Sequence, residues 1–146
     1  MKEIKVRIWY KGRMVTAQDR IMYTKGKWMV CEKTHNSMPD NEYRLVPKKN
    51  VMLFTGLKDK NGVEVYEGDI VTVPNWNYDP EEGSNPLDIA EVKWDMAFTI
   101  GKDWITEFSP KDIEVIGNIY ENPELLETKE LFDGTNEALG KLTIRN

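Results

Sequence analysis

Residues 55–71, TGLKDKNGVEVYEGDIV, decide the fold more clearly than any other stretch of the chain. Asn61 and Gly62 predict a hairpin turn, because glycine adopts positive φ without strain and asparagine tolerates it better than most residues. Residues 63–66 predict a strand, since apolar side chains alternate there with a polar one. Asp69 follows a glycine and can brace a turn through hydrogen bonds to the nearby backbone. The stretch therefore predicts short strands joined by tight reversals.

The same pattern extends in both directions from this stretch. Residues 2–10 alternate between two faces with period two, which is typical of a half-buried strand. Lys11-Gly12 and Lys25-Gly26 predict two further tight turns, as in a β-meander. Further strands are predicted at 14–17, 20–24, 27–32, 43–46, 50–54, 70–73, 89–94, 97–100, 104–108 and 113–120.

A helix is predicted near the C-terminus. Asn122 can cap it, Pro123 suits the first helical position, and Glu124 interacts favourably with the positive end of the helix dipole. The helix is expected to end near Phe132, and Leu125 lies seven residues earlier on the same stripe, which can dock on the sheet or on a neighbouring subunit. The fold class is therefore predicted to be mainly β, with short antiparallel strands in meander or small-barrel-like subdomains and a short C-terminal helix.

Length and composition favour a globular protein of the reducing cytoplasm. A chain of 146 residues forms one domain or two small β-subdomains, here expected at 1–50 and 51–122. Cys31 is the only cysteine and cannot form an internal disulfide, and the N-terminus lacks the apolar stretch of a secretory signal. The sequence contains no run of about 18 apolar residues, so no membrane span is predicted.

Charge is distributed unevenly along the chain. Residues 1–60 hold 14 Lys/Arg and 6 Asp/Glu, a balance of +8, whereas residues 61–146 hold 6 Lys/Arg and 19 Asp/Glu, a balance of −13. A basic half and an acidic half can bind nucleic acid through the first, or bind each other across a subunit contact. Folding can equally interleave the two halves, so that the asymmetry largely disappears in space.

Three blocks of the sequence resemble the YopX family of phage and prophage proteins. They are EIKVRIWYKG at 3–12, TGLKDKNGVEVYEGDIV at 55–71 and EVIGNIYENPELLE at 114–127, in the family's order. The resemblance implies a mostly β domain over 1–127, a phage or prophage origin and self-association, with 128–146 as the helix end and tail. The family has no established activity, so the resemblance assigns no catalytic residue. Residues 74–110 match no family motif, which makes them a natural place for features particular to this chain.

Catalytic and metal chemistry has little support in the sequence. His35 is the only histidine and follows Cys31 by four residues, but no third group is evident to orient a dyad and no second histidine or cysteine completes a zinc site. The acidic residues of 79–91 lack EF-hand spacing, so a solvated acidic loop is favoured over a calcium site. We predict no catalytic, cofactor-binding or metal-binding residue, and we do not expect an enzyme.

Binding through aromatic side chains is the favoured function. Trp76 and Tyr78 lie in a proline-rich loop over 74–88, where they can anchor a partner or pin the loop to its own domain. Together with the helix stripe, the predicted partner contacts are Trp76, Tyr78, Leu125 and Phe132. We therefore predict an accessory phage or prophage protein that acts by binding as a homo-oligomer, with a phage or host protein as a further partner.

Nucleic-acid binding is the alternative. Basic residues interleave with aromatic residues in the first half of the chain, as on β surfaces that bind single strands. The predicted contacts are Arg7, Lys11, Arg13, Lys25, Lys27 and Trp28. The net charge of −5 weighs against this alternative, and so does the ordinary placement of lysines on exposed strand faces.

Overall fold

The computed structural model describes residues 4–32 and 42–127. Within these ranges the chain forms twelve short strands, connected by tight turns and by five 3-10 helices of three residues each. The strands are β1 (Val6–Tyr10), β2 (Arg13–Val15), β3 (Ile21–Thr24), β4 (Lys27–Glu32), β5 (Glu42–Val46), β6 (Val51–Lys58), β7 (Glu64–Tyr66), β8 (Asp69–Pro74), β9 (Leu87–Trp94), β10 (Phe98–Ile100), β11 (Asp103–Trp104) and β12 (Glu114–Asn118). Residues 124–127 begin an α-helix. The predicted fold class is confirmed.

Two compact units divide the chain, Met1–Phe54 and Thr55–Asn146. Strand β6 continues from the first unit into the second, so the division falls inside a strand. The sequence predicts a subdomain boundary between residues 50 and 51, where β6 begins.

In the first unit, β1 pairs antiparallel with β2 and with the start of β6, while β3, β4 and β5 form a second antiparallel sheet. The two predicted Lys-Gly turns close the β1–β2 and β3–β4 hairpins. The angle φ is 48° at Lys11 and 76° at Gly12, and it is 50° at Lys25 and 76° at Gly26. Positive φ at both central residues gives a turn whose twist matches the flanking strands. Both turn predictions are confirmed.

One apolar cluster forms the core of the first unit. Its buried members come from β1, β2, β4, β5 and β6 and are Val6, Ile8, Val15, Val30, Val46 and Val51. Period-two alternation places Val6 and Ile8 on one face of β1. Arg7 lies between them on the opposite face and is also buried, with 8% of its surface exposed, so β1 is covered on both faces.

The second unit contains a five-stranded sheet with the order β11-β10-β9-β8-β12. Its pairings are antiparallel, and the β12–β8 register shifts at a bulge between Val115 and Gly117. Strand β7 is a hydrogen-bonded neighbour of β6. The buried core side chains are Val65, Val71, Val73, Ala90, Val92, Ile100, Ile105, Phe108 and Ile113.

The strand predicted at 104–108 is mostly wrong. Only Asp103–Trp104 form a strand, and Ile105–Glu107 form a 3-10 helix. Ile105 and Phe108 are both buried in the same core. In a strand, side chains three residues apart point to opposite faces, whereas a 3-10 turn places positions i and i+3 on one side. Core packing of these two residues therefore selects the helical turn.

The predicted proline-rich excursion is a loop that closes at its base. Strand β8 ends at Pro74 and β9 begins at Leu87, and these two residues are partners in the ladder. The Asn75 N–H donates to the Pro86 carbonyl at 2.9 Å, and the Asn75 side-chain amide donates to the Asn85 carbonyl at 2.7 Å. The loop therefore leaves the sheet from two paired strand ends.

The predicted helix begins as expected, since residues 124–127 are helical after Pro123. The Asn122 carbonyl accepts from the Leu125 N–H at 3.1 Å, but the Asn122 side chain accepts from the Asn118 N–H at 3.3 Å, so it braces the preceding turn. Phe132 lies outside the described residues. Among the described residues, none belongs to a helix with the length and apolarity needed to cross a membrane.

Candidate binding surfaces

Asp59, within the LKDKNG turn, is a structural carboxylate. Its Oδ1 accepts from the N–H groups of Asn61 and Val63, each at 2.9 Å, and its Oδ2 accepts from the Val115 N–H at 2.9 Å. Burial alone would raise the pKa of Asp59, but these three hydrogen bonds, led by that from Val115, outweigh it and hold the pKa below its ordinary value. One side chain thus ties the β6–β7 turn to the start of β12.

Asp69, within the YEGDIV stretch, has a similar role. It is fully buried, and its Oδ2 accepts from the Tyr66 N–H at 2.7 Å. The Gly68 N–H donates to the Val92 carbonyl at 2.8 Å, which fixes the same turn on β9. The predicted brace by Asp69 is confirmed.

The end of the third motif block is also explained by folding. The Asn118 Oδ1 accepts from the N–H groups of Tyr120 and Glu121, at 3.0 and 2.9 Å. A Cβ on Gly117 would lie 2.5 Å from Oδ1 of Asn122, so any larger residue here would force the Asn122 side chain or the turn to shift. The recognisable motifs therefore build turns, and a binding surface has to be sought among other residues.

Of the two alternatives predicted for the aromatic loop residues, Trp76 fulfils the one that fixes the loop to its own unit. Its ring stacks on Phe108, with centroids 4.7 Å apart and planes 14° apart, so it pins the loop to the core of the second unit. The side chain nevertheless exposes 56% of its surface. Tyr78 is exposed as well. Contact of Trp76 and Tyr78 with a partner stays a prediction.

A groove of about 640 Å³ lies beside Trp76 in the second unit. Asp88, Lys102 and Asp103 contribute charged groups to it, and Phe108 contributes an apolar wall. Its volume is that of a small-ligand site. Asn75, another lining residue, uses its side chain within the loop, where it donates to the Asn85 carbonyl and accepts from the Asn77 N–H.

Two further tryptophans were missed as candidates from the sequence. Trp104 exposes 52% of its surface, and Trp94 is exposed to a similar degree while its ring contacts Phe98 at 4.7 Å. Alternation places Trp94 on the core face of β9 with Val92, so the sequence indicates burial. The strand extends beyond the core at that end, and only the tertiary structure reveals it.

The sheet of the second unit also carries an acidic site. Burial raises the pKa of Glu91, while Lys93 partly opposes the shift and Glu67 adds to it. The pKa of Tyr120 is raised by burial first and then by Glu67 and Glu91. Like charges in a partly buried place disfavour ionisation. This site therefore makes the stability of the second unit sensitive to pH.

The residues predicted to contact nucleic acid do not form one surface. Arg7 is buried, and its Nε donates to Sδ of Met52 at 3.4 Å, so little of it can reach a phosphate. Lys11 pairs with Glu32 at 3.2 Å, where hydrogen bonds from Tyr10 and Lys11 hold the pKa of Glu32 below its ordinary value. Arg13 and Lys25 are exposed, at the turn ends of the two hairpins.

Lys27 and Trp28 do come together, in a groove of about 450 Å³ at one end of the β3-β4-β5 sheet. Tyr23, from the other strand of the same hairpin, and Lys48, which is distant in sequence, line the same groove. The Tyr23 and Trp28 rings lie 4.7 Å apart with planes inclined by 51°. Tyr23 and Lys48 belong to the interleaved aromatic and basic residues of the first half but are not among the predicted contacts. Tyr23 is the cross-strand partner of Trp28 in the predicted Lys25-Gly26 hairpin, whereas Lys48 reaches the groove only through the path of the chain after β5.

The remaining candidate residues carry little additional chemistry. Cys31 is a buried free thiol, and His35 lies outside the described residues. Across 4–32 and 42–127 no group of three or more His, Cys, Asp or Glu side chains is arranged to hold a metal ion. Leu125 is half-buried at the start of the helix.

Comparisons with known proteins agree with the sequence resemblance. A protein-family model described as YopX protein matches residues 5–127, a range that includes the 74–110 segment without recognisable motifs. Among proteins with curated descriptions, none matches the chain. The crystal structure of protein EF1440 from Enterococcus faecalis is similar, with a TM-score of 0.51 and 25% identity, over 86% of this chain and 99% of that one.

Proposed function

The chain belongs to the YopX family, and from that premise we propose that it acts by binding, as a self-assembled homo-oligomer of phage or prophage origin. In this proposal it carries no catalytic residue, cofactor or metal, and it works in the cytoplasm of the bacterial host. The observation that supports it best is the division of charge between the two units. Residues 1–54 hold 12 Lys/Arg and 5 Asp/Glu, a balance of +7, and residues 55–146 hold 8 and 20, a balance of −12.

Opposite charge on two units of one chain favours contact between copies. The basic unit of one copy and the acidic unit of another attract each other, which orients the encounter and suppresses like-charged arrangements. Such a contact joins different surfaces, so it closes into a ring when the rotation between copies permits. The division at Phe54–Thr55 makes each unit a separate carrier of one sign of charge.

Exposed aromatic side chains supply the apolar contact that charge alone does not give. Trp76, Trp94 and Trp104 each expose about half of their surface on the acidic unit. Large aromatics at the centre of an interface account for much of its binding energy, whereas charges at the rim mainly affect the association rate. The exposed tryptophans therefore mark the second unit as the apolar side of the proposed contact.

Size-exclusion chromatography with light scattering tests this proposal. We expect masses that are multiples of 17.0 kDa and that rise with protein concentration. Raising NaCl from about 0.05 to about 0.5 M shortens the Debye length from about 14 to about 4 Å, and the assembly should weaken accordingly. A monomer at every concentration in low salt would remove self-assembly from the proposal. An assembly indifferent to salt would remove the charge division as its cause.

A further inference from the structure

The Tyr23–Trp28 pair has the geometry of a stacking platform. The two residues are direct cross-strand partners in β3 and β4, and their rings lie 4.7 Å apart. Trp28 packs against the core of the first unit, which fixes its position. The Tyr23 ring contacts the Trp28 ring, and Tyr23 exposes 58% of its surface. A rigid, exposed aromatic ring on a sheet can receive the face of a nucleobase.

Two lysines lie next to this platform. Lys27 begins β4 and Lys48 follows Pro47, and both line the 450 Å³ groove with Tyr23 and Trp28. Neither ammonium group has an ion pair or hydrogen bond among the residues that the structure describes. The described residues that line this groove include no Asp or Glu. A bound phosphate would therefore meet two positive charges without displacing an existing partner.

A second groove continues on the other side of the platform. It has a volume of about 870 Å³, shares Tyr23 and Trp28 with the first groove, and is lined also by Ile4, Lys5 and Ile21. Lys5 lies 5.2 Å from the centroid of the Phe54 ring, so it adds a positive charge near an aromatic surface. The described residues lining this groove likewise include no acidic side chain. Because both grooves are lined by Tyr23 and Trp28, they meet at the platform.

We propose that these two grooves bind single-stranded nucleic acid, with a base stacked on Tyr23 and the backbone phosphates held by Lys27 and Lys48. The occupant follows from charge complementarity, since the first unit has a balance of +7, and from the exposed ring, which a phosphate alone would not use. A single strand is required because a base stacked within a duplex cannot present its face to Tyr23. This inference does not depend on self-assembly.

Fluorescence anisotropy with a fluorescein-labelled oligothymidylate of about twelve nucleotides tests the proposal on the full chain. This length covers the binding site of one small β domain, about 4–16 nucleotides. We expect binding that weakens with salt and that exceeds binding to a duplex of the same length at least tenfold. The double variant K27E/K48E should weaken binding at least tenfold and reduce the slope of log K against log salt by about 1.4, for two phosphate contacts.

Matched variants separate the effect of overall charge from the effects of the two lysines and of stacking on Tyr23. K102E/K111E changes the net charge by the same amount, at two exposed lysines of the second unit. At high salt, where long-range electrostatic effects are screened, this variant should bind the oligonucleotide within about twofold of the wild-type affinity. Tyr23→Ala should weaken binding about tenfold, while Tyr23→Phe should bind as the wild type does, because stacking needs the ring and not the hydroxyl.

Three results would overturn the proposal. One is no binding to the oligothymidylate at low salt. The second is equal loss of affinity in K27E/K48E and K102E/K111E, which would show a diffuse charge effect and no site. The third is an unchanged affinity in K27E/K48E together with lost self-assembly in light scattering, which would assign the groove to the acidic unit of a second copy. A monomeric protein that still binds the oligonucleotide through Tyr23 would contradict only the assembly proposed above.

Discussion

Two regions of the second unit use their side chains in opposite ways. The motif blocks at 55–71 and 114–127 contain all three buried polar residues described in this unit, which are Asp59, Asp69 and Asn118. The segment 74–110, which has no recognisable motif, contains six of the seven exposed large apolar residues described there. These six are Trp76, Tyr78, Leu87, Trp94, Met96 and Trp104. The motif blocks therefore hold the buried polar groups that brace the fold, whereas the segment 74–110 carries most of the exposed large apolar side chains of this unit.

This difference has a physical basis that mutation can test. A buried carboxylate that accepts hydrogen bonds from backbone N–H groups contributes to stability, because its removal leaves several buried donors without an acceptor. Trp76 and Trp94 each contact a phenylalanine of their own unit, so among the exposed tryptophans Trp104 is the one whose removal should change folding least. Substitutions of the buried polar residues in the motif blocks should therefore reduce stability, whereas substitution of an exposed aromatic residue such as Trp104 should reduce the proposed binding at nearly constant stability.

Asp59→Ala is expected to have the largest effect. It removes the acceptor of three backbone N–H groups, at Asn61, Val63 and Val115, two of them in the β6–β7 turn. Leaving such donors unsatisfied should lower the free energy of unfolding by about 3 kcal/mol. Urea denaturation followed by circular dichroism measures this. Asp112→Ala removes the same charge from an exposed site and should change stability by less than about 0.5 kcal/mol.

The effect of Asp59 should depend on pH in a defined direction. Its pKa is lowered in the folded protein, so its contribution to stability is fully present above the unfolded pKa of about 3.9 and is lost as pH falls through the folded pKa. The difference in stability between the wild type and Asp59→Ala should therefore be constant near neutral pH and shrink in acid. A difference that grows as pH falls would contradict the assigned hydrogen bonds.

Gly117→Ala should have the next largest effect. A Cβ at this position would lie 2.5 Å from Oδ1 of Asn122 and 2.8 Å from its Cβ, so the turn after β12 has to shift. Overpacking of this kind costs about 1–3 kcal/mol. Asn122→Gly in the same chain removes the clash, so the two substitutions together should destabilise less than the sum of their separate effects. Additive effects in urea denaturation would contradict a direct contact between the two residues.

Much of the local structure could be predicted from the sequence, because turns depend on few neighbouring residues. The Lys11-Gly12 and Lys25-Gly26 turns and the brace by Asp69 needed only local chemistry. The burial of Arg7 could not be predicted, because alternation identifies two faces of a strand without saying that both are covered. The Ile105–Glu107 turn was missed for a related reason, since its conformation depends on a core assembled from distant strands.

The candidate surfaces were predictable only in part. Trp76 and Tyr78 stood out because they lie between prolines, and both are exposed. Trp104 was assigned to the predicted strand 104–108, and aromatic side chains in strands ordinarily pack against their neighbours. The platform of Tyr23 and Trp28 with Lys48 depends on strand pairing and on the chain path after β5. Residues that meet through tertiary structure leave no pattern in the local sequence.

Glu91→Gln should change the free energy of unfolding less than Gly117→Ala does, and it should raise this free energy at neutral pH. The pKa of Glu91 is raised in the folded protein, mainly by burial, so its favourable contribution is present below the unfolded pKa of about 4.3 and is lost as pH rises through the folded pKa. The variant should be more stable than the wild type at neutral pH, by less than about 1 kcal/mol after solvent screening, and equally stable near pH 4. Glu107→Gln is the exposed control, and an equal gain there would show a general charge effect.

Trp104→Ala should change stability least, within about 0.5 kcal/mol, because half of the side chain already faces solvent. The substitution should instead weaken the proposed self-assembly. An aromatic residue buried in an interface contributes about 1.4 kcal/mol or more, so the dissociation constant of the assembly should rise about tenfold or more in sedimentation measurements. Thr106→Ala, an exposed position two residues away, should change neither quantity. A stability loss as large as that of Gly117→Ala would place Trp104 with the folding residues, and an unchanged dissociation constant would remove Trp104 from the proposed contact; either result would contradict the distinction between the two regions.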